Sequence, residues 1–265
     1  MEATEFKLSL QIAGFIIQLV FLKKESFPLH NNLKNQIVKH YKGFIVEPKK
    51  QRLSYRIIFK ALDDINIFHK NSKGFLHFYE KISNKNIITY YHISFNQFQI
   101  ILKEILAQLI HTKGFIIHAS AIKANNKAVM FLGDSGAGKS TVVNILRKTY
   151  QVLADDIVII KKENNNFYLY QTPFIEKAIW IQKTNNKFNI ERIFLLNKSP
   201  ISRVEDINNE NNKFQKIYKQ FWANEKHIKE HISLLFQFIS KHPQFNELYF
   251  SKNKTQLIRL MKSML

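Results

Sequence analysis

Apolar and polar positions alternate through Phe6, Leu8, Leu10 and Ile12, break at Ala13-Gly14, and resume at Ile17, Leu19 and Phe21. This pattern predicts a β-hairpin. Strand-like runs at 44–46, 53–59, 74–79 and 87–93, separated by Asn, Lys and Pro, make residues 1–94 a β-rich or α+β module. Asp63 and Asp64 lie between apolar runs there and read as loop or helix-cap residues. From Ser94 the period becomes helical: Phe98, Ile101, Leu102, Ile105, Leu106 and Leu109 form one stripe in a helix that ends near Gly114 and joins the two modules. Residues 95–265 then form the second domain.

In that domain Phe115–Ala119 and Lys127–Leu132 read as strands around a turn at Ala124-Asn125-Asn126. Further strands are expected at 150–154, 157–160, 167–170, 178–181, 193–196 and 248–250. Helical spacing recurs at Phe214, Ile217, Tyr218 and Phe221, at Ile228, Ile232, Leu235, Phe236 and Ile239, and over 256–264. The polar stretch 205–212 is expected to be a mobile loop. The fold class predicted is therefore α/β.

The strand over 128–132 runs into Gly133-Asp134-Ser135-Gly136-Ala137-Gly138-Lys139-Ser140, a complete G-x-x-x-x-G-K-[ST] pattern holding three of the seven glycines. Residues 140–148 follow with Val142, Ile145 and Leu146 at helical spacing, so strand, loop and helix occur in the required order. Glycines let successive backbone N–H groups turn inward around a phosphate while the helix presents its positive end. The motif predicts binding of a nucleoside triphosphate, ATP with Mg2+. Residues 133–141, Thr141 included, would surround the phosphates, Lys139 would reach the β/γ-phosphates, and the Ser140 hydroxyl would face the metal.

Composition narrows the setting. The chain has no cysteine, which excludes disulfides and thiolate metal sites and fits a reducing compartment, so the cytoplasm is the expected location. The apolar stretch 8–22 is too short, and interrupted by Gln11 and Gln18, to be a membrane span. The formal charge of +20 invites a nucleic-acid reading, but only six of the 40 basic residues are Arg, and the 34 Lys are dispersed among 25 Asn. That pattern is a chain-wide bias and argues against a dedicated nucleic-acid surface. The aromatic-rich segment with Phe214, Tyr218, Phe221 and Trp222 reads as ordinary core, or as an interface in a homo-oligomer.

No glycine follows Gly138. The glycine after a GTPase switch aspartate, the signature segment of transporter-type ATPases and the Asp-Phe-Gly of protein kinases are all missing, and Asn197-Lys198-Ser199-Pro200 lacks the aspartate of a guanine-reading motif. What remains is Asp155-Asp156, which follows a strand about sixteen residues beyond Lys139, at the expected carboxyl edge of the sheet. One carboxylate there can help hold Mg2+ and the other can accept a proton from an attacking hydroxyl.

Ile117-His118-Ala119-Ser120, the glycine-rich loop and Val152-Leu153-Ala154-Asp155-Asp156 together resemble the catalytic core of the HPr kinase/phosphorylase family, which shares its fold with phosphoenolpyruvate carboxykinase. The resemblance implies a P-loop kinase core of that type behind the N-terminal module. It places an active-site histidine at His118, fifteen residues before Gly133, the Mg2+-binding serine at Ser140, a supporting metal carboxylate at Asp155 and the general base at Asp156. Thr141 stands where the bifunctional enzymes carry Glu, and Glu176 is the positional candidate for their additional metal-binding Glu. The leading expectation is a kinase transferring the γ-phosphoryl group of ATP to a hydroxyl-bearing acceptor, a serine of a protein, peptide or small molecule. The alternatives are a nucleotide-binding regulatory or assembly protein with slow or no hydrolysis, and a basic ATPase working on nucleic acid.

Overall fold

The computed structural model describes residues 5–22, 30–47, 52–60, 78–207, 210–222, 228–241 and 244–265. The Asp63-Asp64 pair and the first part of the 74–79 strand lie outside them. The fold is mixed α/β and divides into two compact units, 1–109 and 110–265.

The first unit is a six-stranded sheet in the order β3-β1-β2-β4-β6-β5. Strands β1 (Glu5–Ile12) and β2 (Phe15–Leu22) form the expected hairpin. Its turn has positive φ at both Ala13 (48°) and Gly14 (77°), the combination that matches the twist of the flanking strands. The other strands are β3 (Ile45–Val46), β4 (Tyr55–Lys60), β5 (Tyr79–Ser83) and β6 (Asn86–Tyr90). Helix α1 (His30–His40) was not legible in the sequence. Among its described side chains Leu33 and Ile37 are the buried ones, too few apolar positions to show a period.

Helix α2 (Phe95–Ile110) starts with a capping box: the Gln97 side chain accepts from the Ser94 N–H at 2.7 Å, and Ser94 Oγ accepts from the Gln97 N–H at 3.2 Å. Phe98 packs near Phe59, whose ring stacks on Phe21 at 4.3 Å. Contacts of this kind group nearly all of α2 with the first unit, so the division falls after residue 109 rather than after 94.

The second unit is built on nine strands. Strands β7 (Gly114–His118), β11 (Ile157–Glu163) and β12 (Asn166–Gln171) form one arm, and β10 (Gln151–Ala154), β8 (Ser120–Ala124) and β9 (Lys127–Leu132) the other. The long strand β13 (Lys187–Lys198) joins them: its first residues pair with β12, and after a bulge between Ile190 and Arg192 it runs parallel to β9 and to β15 (Phe245–Phe250). Strand β14 (Arg203–Asp206) pairs with β15 at the edge. It occupies part of the expected mobile stretch, and helix α4 (Glu210–Tyr218) takes up more of it.

Helix α3 (Lys139–Leu146) and α6 (Lys254–Met264) share a core with Phe131, Phe194 and Leu248 on one side of the sheet. Helices α4 and α5 (Ile228–Lys241) contribute Ile217, Leu235 and Phe238 to the other. Phe214 stacks on Phe236 at 4.5 Å and Phe221 on Phe115 at 4.4 Å, so these aromatics are packed within the unit.

Two sequence expectations are corrected. Residues 178–181 form no strand: Ala178 and Ile181 are buried against the α3 core while Ile179 is 87% exposed, a three-residue spacing that belongs to a turn. The partner of β9 across the Asn125-Asn126 turn is β8, not the 115–119 strand, which pairs with β11 instead. Ser120–Ala124 was missed because the chain passes from one arm of the sheet to the other within one residue, at Ala119, leaving no turn signal between two strands. No helix among the described residues is long and apolar enough to cross a membrane.

Candidate functional site

Strands β9, β13 and β15 are parallel, and the glycine-rich loop leaves the carboxyl end of β9 at Leu132. The crevice beyond such ends is where open α/β sheets bind ligands. The loop closes on Gly138, the N-cap of α3, at φ 106° and ψ 19°. A side chain there would be strained and would also collide with Phe250, because an added Cβ would lie 2.4 Å from the ring. Gly136, at φ 80°, faces open space. Gly133 is held by close packing, since its Cβ would meet that of Ala137 at 2.8 Å. Asp134, Ser135, Gly136, Ser140 and Thr141 are exposed.

Lys139 Nζ donates to the Gly133 carbonyl at 2.6 Å and the Asp134 carbonyl at 3.3 Å. Burial pulls its pKa below the ordinary lysine value, and the charges of Asp156, Asp134 and Asp155 oppose that shift. Lys139 therefore lies within electrostatic reach of both carboxylates of the pair.

Two neighbouring strand crossings assemble the rest. The chain passes from β7 to β8 through Ala119 and from β10 to β11 through Asp155-Asp156. The crossings are bonded to each other: the Ala119 N–H donates to the Asp156 carbonyl at 3.0 Å, and Ser120 Oγ donates to the Asp155 carbonyl at 2.9 Å. His118 Nδ1 consequently stands 3.4 Å from Asp156 Oδ1, with both side chains open to solvent. Asp155 is turned the other way and buried. Desolvation raises its pKa, and hydrogen bonds from Ser140 and Ser120 act against that rise. The hydroxyl and the carboxylate expected to face a metal are thus already in contact.

Behind Asp155, Glu176 is buried and accepts from the Asp155 N–H at 2.8 Å through Oε2, while Oε1 pairs with Lys183 at 2.9 Å. Burial raises the Glu176 pKa despite that pairing. Glu176 thus supports the Asp155 backbone through one oxygen and holds the other against the Lys183 ammonium. Among the described residues no group of three or more His, Cys, Asp or Glu could hold a metal ion by itself.

Gln220 was missed by sequence reasoning. Its carbonyl accepts from the His118 N–H at 2.9 Å and its side chain donates to Asp134 Oδ1 at 3.2 Å, tying the histidine strand to the loop. It lies 86 residues from Asp134, and no local signal marks it.

A family model described as "ScmC: SynChlorMet cassette protein ScmC" matches residues 86–236, more than half of the chain. No curated protein matches the sequence. Among solved structures, the Hpr(Ser) kinase/phosphatase from Coxiella burnetii is similar at 14% identity and a TM-score of 0.31, over 56% of this chain and 95% of that one.

Proposed function

The chain belongs to the ScmC family, and from that premise we propose that it is an ATP- and Mg2+-dependent kinase with a P-loop core of the HPr kinase type. It transfers the γ-phosphoryl group to a hydroxyl, a serine of a protein, peptide or small molecule. The observation that carries this reading is the pair of bonded strand crossings, which gathers His118, Ser120, Asp155 and Asp156 and leaves both carboxylates within electrostatic reach of Lys139. The resemblance of residues 117–156 to the HPr kinase core supports it in sequence.

In this mechanism the loop amides and Lys139 hold the phosphates. Lys139 exchanges neutral carbonyl acceptors for phosphate oxygens, whose negative charge adds direct Coulomb attraction to the bond. Ser140 and Asp155 would hold Mg2+. Both offer hard oxygen donors, and a site with few protein ligands suits an ion that keeps waters and phosphate oxygens in its shell. When bound, Mg2+ neutralises charge on the β- and γ-phosphates. Asp156 accepts the proton of the acceptor hydroxyl as its oxygen bonds to the γ-phosphorus. The bond from that phosphorus to the β–γ bridging oxygen breaks, and ADP leaves with the electron pair. His118 orients the Asp156 carboxylate from 3.4 Å.

The test is γ-labelled ATP with a cell extract as the acceptor pool. Label should appear as an acid-stable, alkali-labile serine ester with wild type and not with Asp156→Asn. Label released only as inorganic phosphate would overturn the reading. The alternative is a nucleotide-gated binding protein without transfer. That alternative predicts ATP binding with no labelled acceptor.

A further inference from the structure

A cleft of about 340 Å³ adjoins the glycine-rich loop. One wall is the start of α3, at Gly138 and Thr141, and the other is the carboxyl ends of the parallel strands β13 and β15, Lys198 and Phe250, with Pro200 and Lys252 just beyond them. The Phe250 ring lies directly against Gly138, so the cleft continues from the point where the loop ends. Its volume is in the range of small-ligand sites. We propose that this cleft receives the nucleobase of the nucleotide whose phosphates rest on the loop, and that it barely distinguishes adenine from guanine. The proposal rests on the nucleotide-binding reading above.

Poor discrimination follows from what the walls can offer. Among the described residues no carboxylate lines the cleft, so guanine N1–H and N2–H2 lack the paired acceptor that the aspartate of a guanine-reading motif supplies, and only single acceptors such as the Thr141 hydroxyl are at hand; Pro200 occupies the place of that aspartate in Asn197-Lys198-Ser199-Pro200. The two serines are already engaged. Ser251 Oγ donates to Gln256 at 3.0 Å and accepts from the Asn253 N–H at 3.2 Å. Ser199 Oγ accepts from the Ile201 N–H and from Arg203, both at 3.3 Å, and its own N–H is spent on the Phe250 carbonyl at 3.0 Å. Lys198 and Lys252 are exposed donors on flexible stems that can meet N3 or N7 of either purine; guanine adds O6 as an acceptor, an advantage that solvated ammoniums keep small. Large selectivity arises when the wrong ligand leaves fixed buried polar groups unpaired, and these walls hold few such groups.

The experiment is calorimetric binding of ATP, GTP and inorganic tripolyphosphate, each with Mg2+, to the full chain and to its Phe250→Leu, Pro200→Gly and Lys139→Ala variants. The expected result is ATP and GTP affinities within about tenfold of each other, both tighter than tripolyphosphate. Phe250→Leu and Pro200→Gly should each weaken both nucleotides about three- to tenfold and leave tripolyphosphate unchanged. Pro200 is exposed, so its variant serves if Phe250→Leu perturbs folding. A preference above about tenfold for either purine overturns the inference, and so do nucleotides that bind no tighter than tripolyphosphate. If tripolyphosphate binds through Lys139 in that last case, the phosphate-site reading survives alone. If none of the three binds, the nucleotide reading falls and the inference with it.

Discussion

Gly138→Ala separates two reasons for a glycine in the loop. At φ 106° an alanine pays backbone strain of about 1–3 kcal/mol. Its Cβ would also sit 2.4 Å from the buried Phe250 ring, an overlap of the kind that costs a further 1–3 kcal/mol or so. The sum is a loss of about 2–6 kcal/mol. Gly136→Ala supplies the control, since φ there is 80° but no atom lies within 4 Å, leaving only the backbone cost of about 1 kcal/mol or more. The assay is urea unfolding followed by tryptophan fluorescence; both tryptophans, Trp180 and Trp222, lie in the second unit, so the signal reports that unit alone. Phe250→Leu in the Gly138→Ala background should recover part of the loss as a favourable coupling of about 1 kcal/mol or more. Equal stabilities for the two glycine variants, or no coupling with Phe250→Leu, would refute the packing argument.

Three further outcomes are expected. Glu176→Ala leaves the Lys183 ammonium, 13% exposed, without its partner and should cost about 3–5 kcal/mol in the same urea assay; Lys183→Met added to it should restore part of that. Gln220→Ala should weaken ATP binding by a few-fold, about 1 kcal/mol by calorimetry, because Asp134 and the His118 strand lose their tie; unchanged affinity would make the bond incidental. Glu163 is held down at about 2: burial alone would raise it, but bonds from Lys161, Lys187 and Tyr170 outweigh that. A depressed carboxylate contributes stability above its unfolded pKa and loses it as pH falls through the folded one. The melting-temperature gap between wild type and Glu163→Gln should therefore be widest above about pH 5 and close towards about pH 2, and a gap independent of pH would contradict it.

Much of the site was legible because its signals are local. The glycine-rich loop, the strand before it and the helix after it lie within twenty contiguous residues, and Asp155-Asp156 directly follow an apolar strand. What could not be read is what long-range pairing decides. Ser120 Oγ and Asp155 meet across 35 residues because β7–β8 and β10–β11 cross side by side between the two arms of the sheet. Gln220 reaches Asp134 across 86, and Glu176 meets the Asp155 N–H across 21. The first hairpin was fixed by strict alternation around Ala13-Gly14, whereas α1 carries two buried apolar side chains among those described and gave no period to find.

The central claim is that Asp156 acts in transfer and not in nucleotide binding. The direct measurement takes ATP affinity and phosphoryl transfer together on wild type and Asp156→Asn, with the same acceptor fraction. The account predicts that Asp156→Asn binds ATP within a few-fold of wild type while transfer falls by about 10²–10⁴, the contribution of a general base. Transfer that survives the substitution unchanged would contradict it, and so would a loss of transfer explained wholly by lost ATP affinity.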